Sequence, residues 1–245
     1  MVDITVCVPA YNEEKALAQT VKDICTVANA AQSDIEIIIV DDGSADRTGE
    51  IADDLARNDP RILAFHQKPN KGVGAAFKLV LERASSDRIT LIPGDYAFDQ
   101  RGLEDLFRNA NAAELLITYR ANKASRPPLR RLLSTVFSSW LRLMTHCPIR
   151  DGHSLYVFPV ARTRTLADLM PDDHRYHVVA LVNLLRRANS YAEIPVELRP
   201  RADQSSTVLR VSFLLKITAT MLGLTLSAIR GDQRMSRPKV IVVQS

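Results

Sequence analysis

Two stretches, ITVCVPAYNE at residues 4–13 and IEIIIVDDGS at residues 35–44, decide the fold. Each opens as a short apolar run rich in β-branched residues, from Asp3 to Val8 and from Ile35 to Val40, and each then breaks into polar, turn-forming residues. Between them, Glu14 to Ala30 carries apolar residues at helical spacing. Strand, helix and strand in that order make a βαβ unit. Parallel neighbours need such a crossover, because a tight hairpin returns the chain antiparallel.

The alternation continues outward. The spacing predicts helices near Asp46–Asn58, Gly74–Ala84 and Leu103–Ala112, with strands at Ile62–His66, Arg88–Ile92 and Leu115–Tyr119. This is the pattern of an α/β chain with a mostly parallel central sheet and helices on both faces. After Tyr119 the rhythm changes. A polar stretch runs from Ala121 to Pro127 and Pro128, and Leu129–Thr145 reads as an amphipathic helix with basic residues on one side. Ser154–Val157, Tyr176–Arg187 and Tyr191–Leu198 supply a further strand, helix and strand. The apolar stretch Val208–Ile229, interrupted by Lys216, is too short to span a bilayer convincingly. It reads either as a helix packed on the core or a partner, or as an amphipathic interfacial helix. A short terminal strand follows.

Composition narrows the class. With 245 residues, 46% hydrophobic, 24% charged, nine Gly and twelve Pro, the chain is globular rather than fibrous or disordered. Three scattered cysteines make neither a disulfide framework nor a zinc site and fit a reducing cytoplasm; the first residues lack the basic and apolar runs of an export signal. A net charge of +4 is too small to argue for nucleic acid as a partner. Its distribution is more informative. No acidic residue lies between Glu114 and Asp151, whereas Arg120, Arg130, Arg131, Arg142 and Arg150 do, which suits either a solvated basic face or a phosphate-handling surface.

Ligands of open parallel sheets bind beyond the carboxyl ends of the strands. Those positions hold Val8-Pro9-Ala10-Tyr11-Asn12-Glu13-Glu14, then Val40-Asp41-Asp42-Gly43-Ser44, then Pro93-Gly94-Asp95. Asp42-Gly43 alone would pass for a tight turn, and Ser44 or Asp46 for a helix cap. Three polar turns at one sheet edge instead predict a site, with carboxylates to accept hydrogen bonds from a nucleoside, Gly43 to admit a close approach, and Asp95 for a metal. The run Asn70-Lys71-Gly72-Val73-Gly74 lacks the third glycine of a dinucleotide fingerprint and the Gly-Lys-Ser/Thr of a P-loop. It is expected to form a turn whose following helix offers its N-terminal amides to an anion. His146, His153, His174 and His177 have no metal-ligand spacing and are assigned no role.

Together, VPAYNEE at Val8, VDDGSADRT at Val40 and NKGVGAAF at Asn70 resemble glycosyltransferase family 2, with its GT-A fold. Over residues 3–207 the chain looks most like the dolichyl- or polyprenyl-phosphate sugar synthases. The resemblance implies a GT-A domain over 1–207, with a nucleotide-sugar half over about 1–115 and an acceptor half over 116–207, followed by a tail over 208–245. It implies donor binding by Pro9, Tyr11, Glu13, Asp41 and Asp42, extended to Gly43, Lys71 and Gly72. Asp95 would hold Mg²⁺ or Mn²⁺, Arg120, Arg131 and Arg201 would act in catalysis, and Arg120, Arg131, Asp151 and Ser206 would take the acceptor. Pro93-Gly94-Asp95 stands where the family commonly has Asp-X-Asp, so only the second carboxylate is kept. Arg201 and Ser206 keep two positions of the family's Arg-X-X-Gly-X-Ser-Lys pattern. The implied reaction is inverting transfer of a sugar from a nucleotide-diphosphate sugar to a polyprenyl phosphate, at the cytoplasmic face of a membrane. Two alternatives stand beside it: a saccharide or other hydroxyl acceptor, and a catalytically silent nucleotide-sugar-binding protein.

Overall fold

The computed structural model describes residues 2–95, 99–121, 128–150, 155–197, 211–229 and 238–243. Asp151 and Ser206, expected at the acceptor site, and Arg201, expected to act in catalysis, lie outside the described residues.

The chain runs β1 (Ile4–Ala10), α1 (Leu17–Ala30), β2 (Ile35–Asp41), α2 (Thr48–Asn58), β3 (Ile62–His66), α3 (Val73–Arg83), β4 (Arg88–Leu91), α4 (Gln100–Arg108) and β5 (Leu115–Arg120). It continues with α5 (Pro128–Thr145), β6 (Tyr156–Pro159), α6 (Val160–Arg164), α7 (Tyr176–Leu185), β7 (Ser190–Val196), α8 (Val211–Ile229) and β8 (Lys239–Ile241). The eight strands form one sheet in the order β3-β2-β1-β4-β6-β5-β7-β8. All neighbours are parallel except β6, which runs antiparallel to both β4 and β5. The expected mostly parallel sheet with helices on both faces is therefore present.

Strand alternation divides the core. Ile4, Val6 and Val8 of β1 and Ile35, Ile37 and Ile39 of β2 face a cluster completed by α1 and α4. Cys7, Ile38 and Val40, pointing the other way, join α3, α5 and α7. Within α1 the buried residues Leu17, Val21, Ile24 and Ala28 recur every three or four positions, which is why this segment is a helix lying on a sheet. α5 starts at Pro128, whose missing N–H costs nothing at a first helical position. Neither the separate helix α6 nor the reversal of β6 has a counterpart in the sequence reading.

α8 packs on the α3/α5/α7 side through Ile217, Met221 and Leu224. Trp140 Nε1 of α5 donates to Thr225 Oγ1 at 3.1 Å, and Arg175 Nη1 to Thr220 Oγ1 at 3.1 Å. Of the two readings of this segment, packing on the core accounts for its inner face. No described helix is long and apolar enough to cross a membrane.

Candidate active site

The strand ends converge on the dipeptide Pro9–Ala10. The Asp42 amide donates to Ala10 O at 2.9 Å, and the Gly94 amide to Pro9 O at 3.1 Å. A methyl group at Gly94 would stand 3.3 Å from both Ala10 Cβ and Pro9 O. Thr20 Oγ1 of α1 secures the same turn by donating to Gly94 O at 3.1 Å. The turn carrying Asp95 and the turn carrying Asp42 are thus fixed from the two sides of β1 against its C-terminal end, next to Tyr11, which is 51% exposed.

The loops after β1 and β2 are joined by hydrogen bonds in both directions. Asn12 N donates to Ser44 Oγ (3.0 Å), Ala45 N to Asn12 Oδ1 (2.9 Å) and Glu13 N to Thr48 Oγ1 (2.8 Å). Asp46 accepts from the Thr48 amide at 3.0 Å and from the Glu14 amide at 3.2 Å, so it caps α2 and binds the first loop at once. Asn12 takes a positive φ of 56°, a conformation asparagine tolerates better than most residues.

Asp41 and Asp42 are 3% and 5% exposed, and both carboxylates are engaged by the protein. Asp42 Oδ1 accepts the Lys71 amide at 2.7 Å and Oδ2 accepts the Gly72 amide at 2.8 Å. This side chain holds the third loop to the second; the sequence reading had it facing the nucleoside. Gly43, at φ 78°, is required by the fold itself, since a Cβ there would sit 2.9 Å from Gln67 O. Asp41 Oδ1 accepts the Ser44 amide at 2.9 Å, and His66 Nδ1 lies 3.0 Å from Oδ2. Burial pushes the Asp41 carboxyl up, but hydrogen bonds from Ser44 and His66 outweigh it and leave it below its ordinary value.

The amides at the start of α3 are also occupied, which corrects the expectation of an anion there. Gly74 N and Ala75 N both donate to Asp172 O, at 2.7 and 3.2 Å. The segment after Met170 therefore lies over the Gly72–Gly74 turn. Its two carboxylates are paired: Asp172 with Lys78 at 2.5 Å, and Asp173 with Arg175 at 2.8 Å. Burial alone would raise the Asp173 carboxyl; the Arg175 hydrogen bonds and charge, with Lys216, keep it below its usual value.

In the acid-free segment, Arg142 Nε donates to Ile149 O at 2.7 Å, and Arg150 lies over the Tyr119 ring at 4.6 Å. Arg120 ends β5, and Arg131 stands exposed in the first turns of α5. Among the described residues no group of three or more His, Cys, Asp or Glu side chains gathers as a metal cage. A single carboxylate, Asp95, suits a hard cation that takes its other oxygens from a diphosphate and water.

His66 is the member of this site that sequence reasoning missed. It closes β3, and inspection beyond the end of that strand, as for its neighbours, would have reached it.

The order of this sheet, with polar turns gathered at the ends of β1, β2 and β4, is that of a GT-A domain. The glycosyl transferase family 2 model matches residues 5–156, and the chain belongs to that family. Glycosyltransferase AglD of Haloferax volcanii is 30% identical over 218 residues, covering 85% of this chain but 35% of its own length, so the chain spans about a third of that relative. Dolichyl-phosphate beta-glucosyltransferase ALG5C of Trichomonas vaginalis is 26% identical, over 91% of this chain and 70% of its own. Glucosyl-3-phosphoglycerate synthase of Mycobacterium tuberculosis, solved with UDP, superposes with a TM-score of 0.64 at 19% identity, covering 91% and 79% of the two chains. The same enzyme has been solved with Mn²⁺, UDP-glucose and phosphoglyceric acid, with a TM-score of 0.59 at 18% identity over 92% and 79% of the chains.

Proposed function

We propose that this chain transfers a sugar from a nucleotide-diphosphate sugar to a polyprenyl phosphate, inverting the anomeric centre. The observation that carries this reading is the seating of the Asp42 and Asp95 turns on Pro9–Ala10, in a family whose relatives include a dolichyl-phosphate glucosyltransferase. Pro9, Tyr11, Glu13, Asp41 and Gly43 line the donor side, with Lys71 and Gly72 held in place by Asp42. Asp95 is the residue that would hold Mg²⁺ or Mn²⁺, which when bound offsets the charge on the departing diphosphate.

An acceptor phosphate oxygen attacks the anomeric carbon as the bond to the nucleoside diphosphate breaks. A phosphate monoester with a second pKa of about 6 is already mostly dianionic near neutral pH and needs no general base. That agrees with Asp172 and Asp173 both being paired to cations. Arg120 and Arg131 would draw the acceptor phosphate in, Asp151 and Ser206 would border the acceptor by resemblance, and Arg201 would act in catalysis. A transfer assay with one sugar nucleotide and two acceptors, a polyprenyl phosphate and a free saccharide, tests the assignment. Product on the lipid is expected; transfer to the saccharide alone gives the hydroxyl-acceptor reading, and binding without transfer or donor hydrolysis gives the silent one.

A lipid acceptor requires access to a bilayer. Leu132, Val136 and Leu143, the last 64% exposed, form an outward stripe on α5. Leu215, Leu222 and Leu226 do the same on α8, Leu215 being 67% exposed. We assign these two faces to a membrane surface, with Arg131, Arg142 and Lys216 beside them for anionic headgroups. Replacing Leu222 and Leu226 together by serine is expected to cut affinity for anionic vesicles, read by co-sedimentation, by about tenfold or more, since tenfold needs only about 1.4 kcal/mol and each leucine fully withdrawn from water is worth roughly 1.5–3 kcal/mol. Unchanged sedimentation of the double variant would remove α8 from the interface.

A further inference from the structure

The donor site has a support that its proposed chemistry does not use. His66 ends β3 with its ring between two carboxylates: Nδ1 is 3.0 Å from Asp41 Oδ2, and Nε2 is 3.1 Å from Asp53 Oδ1 on α2. Gly49 of α2 makes the room, since a methyl group there would stand 3.0 Å from Asp41 Oδ2 and 3.4 Å from the imidazole. On its other oxygen Asp41 carries the Ser44 amide at 2.9 Å, and Ser44 Oγ in turn receives the Asn12 amide at 3.0 Å. A hydrogen-bonded path therefore runs from the surface of α2 through His66 and Asp41 into the loops around Tyr11.

We propose that His66 is a positioning residue for the donor site, fixing the Asp41 carboxylate and the Asp42–Ser44 turn more firmly when both of its ring nitrogens carry protons than when one does. This rests on the reading of Asp41 as a donor-side residue. Each ring nitrogen faces an acceptor that has no proton to give once ionised, so a neutral imidazole satisfies only one of the two carboxylates.

Asp41 and Asp53 are the titratable groups, among the described residues, that act on this ring. The Asp41 hydrogen bond raises the histidine above its ordinary 6.5, burial opposes this, and Asp53 adds to the rise. A raised folded-state pKa means that the stabilisation is complete below 6.5 and fades as pH climbs through the folded value.

The test uses UDP and GDP as probes, titrated calorimetrically into the full chain at about pH 6 and about pH 9. His66→Asn places an amide donor where Nδ1 was and keeps the Asp41 bond; His66→Gln places it where Nε2 was and loses that bond. At the lower pH the glutamine variant is expected to bind about tenfold more weakly than wild type and the asparagine variant within about twofold. At the higher pH the gap between wild type and the glutamine variant is expected to close to about threefold or less. A ratio that stays constant with pH, or equal losses in the two variants, overturns the proposal. If wild type binds neither nucleotide, the donor-site reading fails, and hydrogen exchange then decides the role of His66. The Ser44 amide is expected to lose about tenfold in protection in the glutamine variant and to keep it in the asparagine variant; unchanged protection in both overturns the proposal.

Discussion

Turnover of the Asp95→Ala variant is expected to fall by about a thousandfold or more. The turn that presents Asp95 is held by backbone groups of its neighbour: Gly94 N on Pro9 O and Gly94 O on Thr20 Oγ1. Those bonds do not involve the Asp95 side chain, and the thermal midpoint of the variant, measured beside its rate, separates lost chemistry from lost fold. With Pro93 at the other position of the family's carboxylate pair, the pair itself holds no second aspartate to replace the lost charge. Asp95→Asn is expected to be nearly as impaired, because it keeps the shape but not the anion. Steady-state rates at saturating Mn²⁺ and sugar nucleotide are the measurement. Wild-type turnover in the alanine variant would end the assignment of Asp95 as the cation-holding residue.

The second large effect belongs to stability. Gly72 has φ 94°, and a Cβ on it would approach Asp172 O to 2.6 Å. That oxygen cannot retreat freely, since it accepts the Gly74 and Ala75 amides. Gly72→Ala is therefore expected to destabilise the chain by about 3 kcal/mol or more, combining backbone strain with a backbone clash. The same change should loosen the Lys71–Gly72 amides from Asp42 and weaken nucleotide binding. Gly223 provides the control: it lies in α8, and a methyl group added there would meet nothing within 4 Å, so Gly223→Ala is expected to stabilise by about 0.5–1 kcal/mol. Urea titrations of the two variants against wild type decide the point, and near-equal midpoints would show that the Asp172 segment is not a firm neighbour of the glycine turn.

Much of this architecture is readable from side-chain periodicity because the sheet and its helices are long and regular. Ile35, Ile37 and Ile39 against Ile38 and Val40 state the two faces of β2 directly, and Leu17, Val21 and Ile24 state the inner face of α1. The loops converge as expected because an open sheet leaves few other places for polar turns. What the sequence hides is how the polar groups pair. The partners of Asp42 are backbone amides about thirty residues away, and the partner of the α3 amides is a single carbonyl, that of Asp172, almost a hundred residues on, neither of which has a residue-type signature. His66 is hidden for a related reason: its second carboxylate, Asp53, sits on a helix whose orientation only the packed fold sets.

The short strand β8 pairs in parallel with β7, Lys239 to Ser190 and Ile241 to Ala192, and Lys239 N donates to Asn189 O at 2.8 Å. It closes an edge whose neighbouring residues, Tyr191 and Ala192, are fully buried. A truncation just after α8 would strip that cover and offer a raw ribbon of amides and carbonyls to any passing chain. Clumping of such a fragment would report on the missing border strand, so attachment to lipid is better judged by changing single leucines in the intact polypeptide.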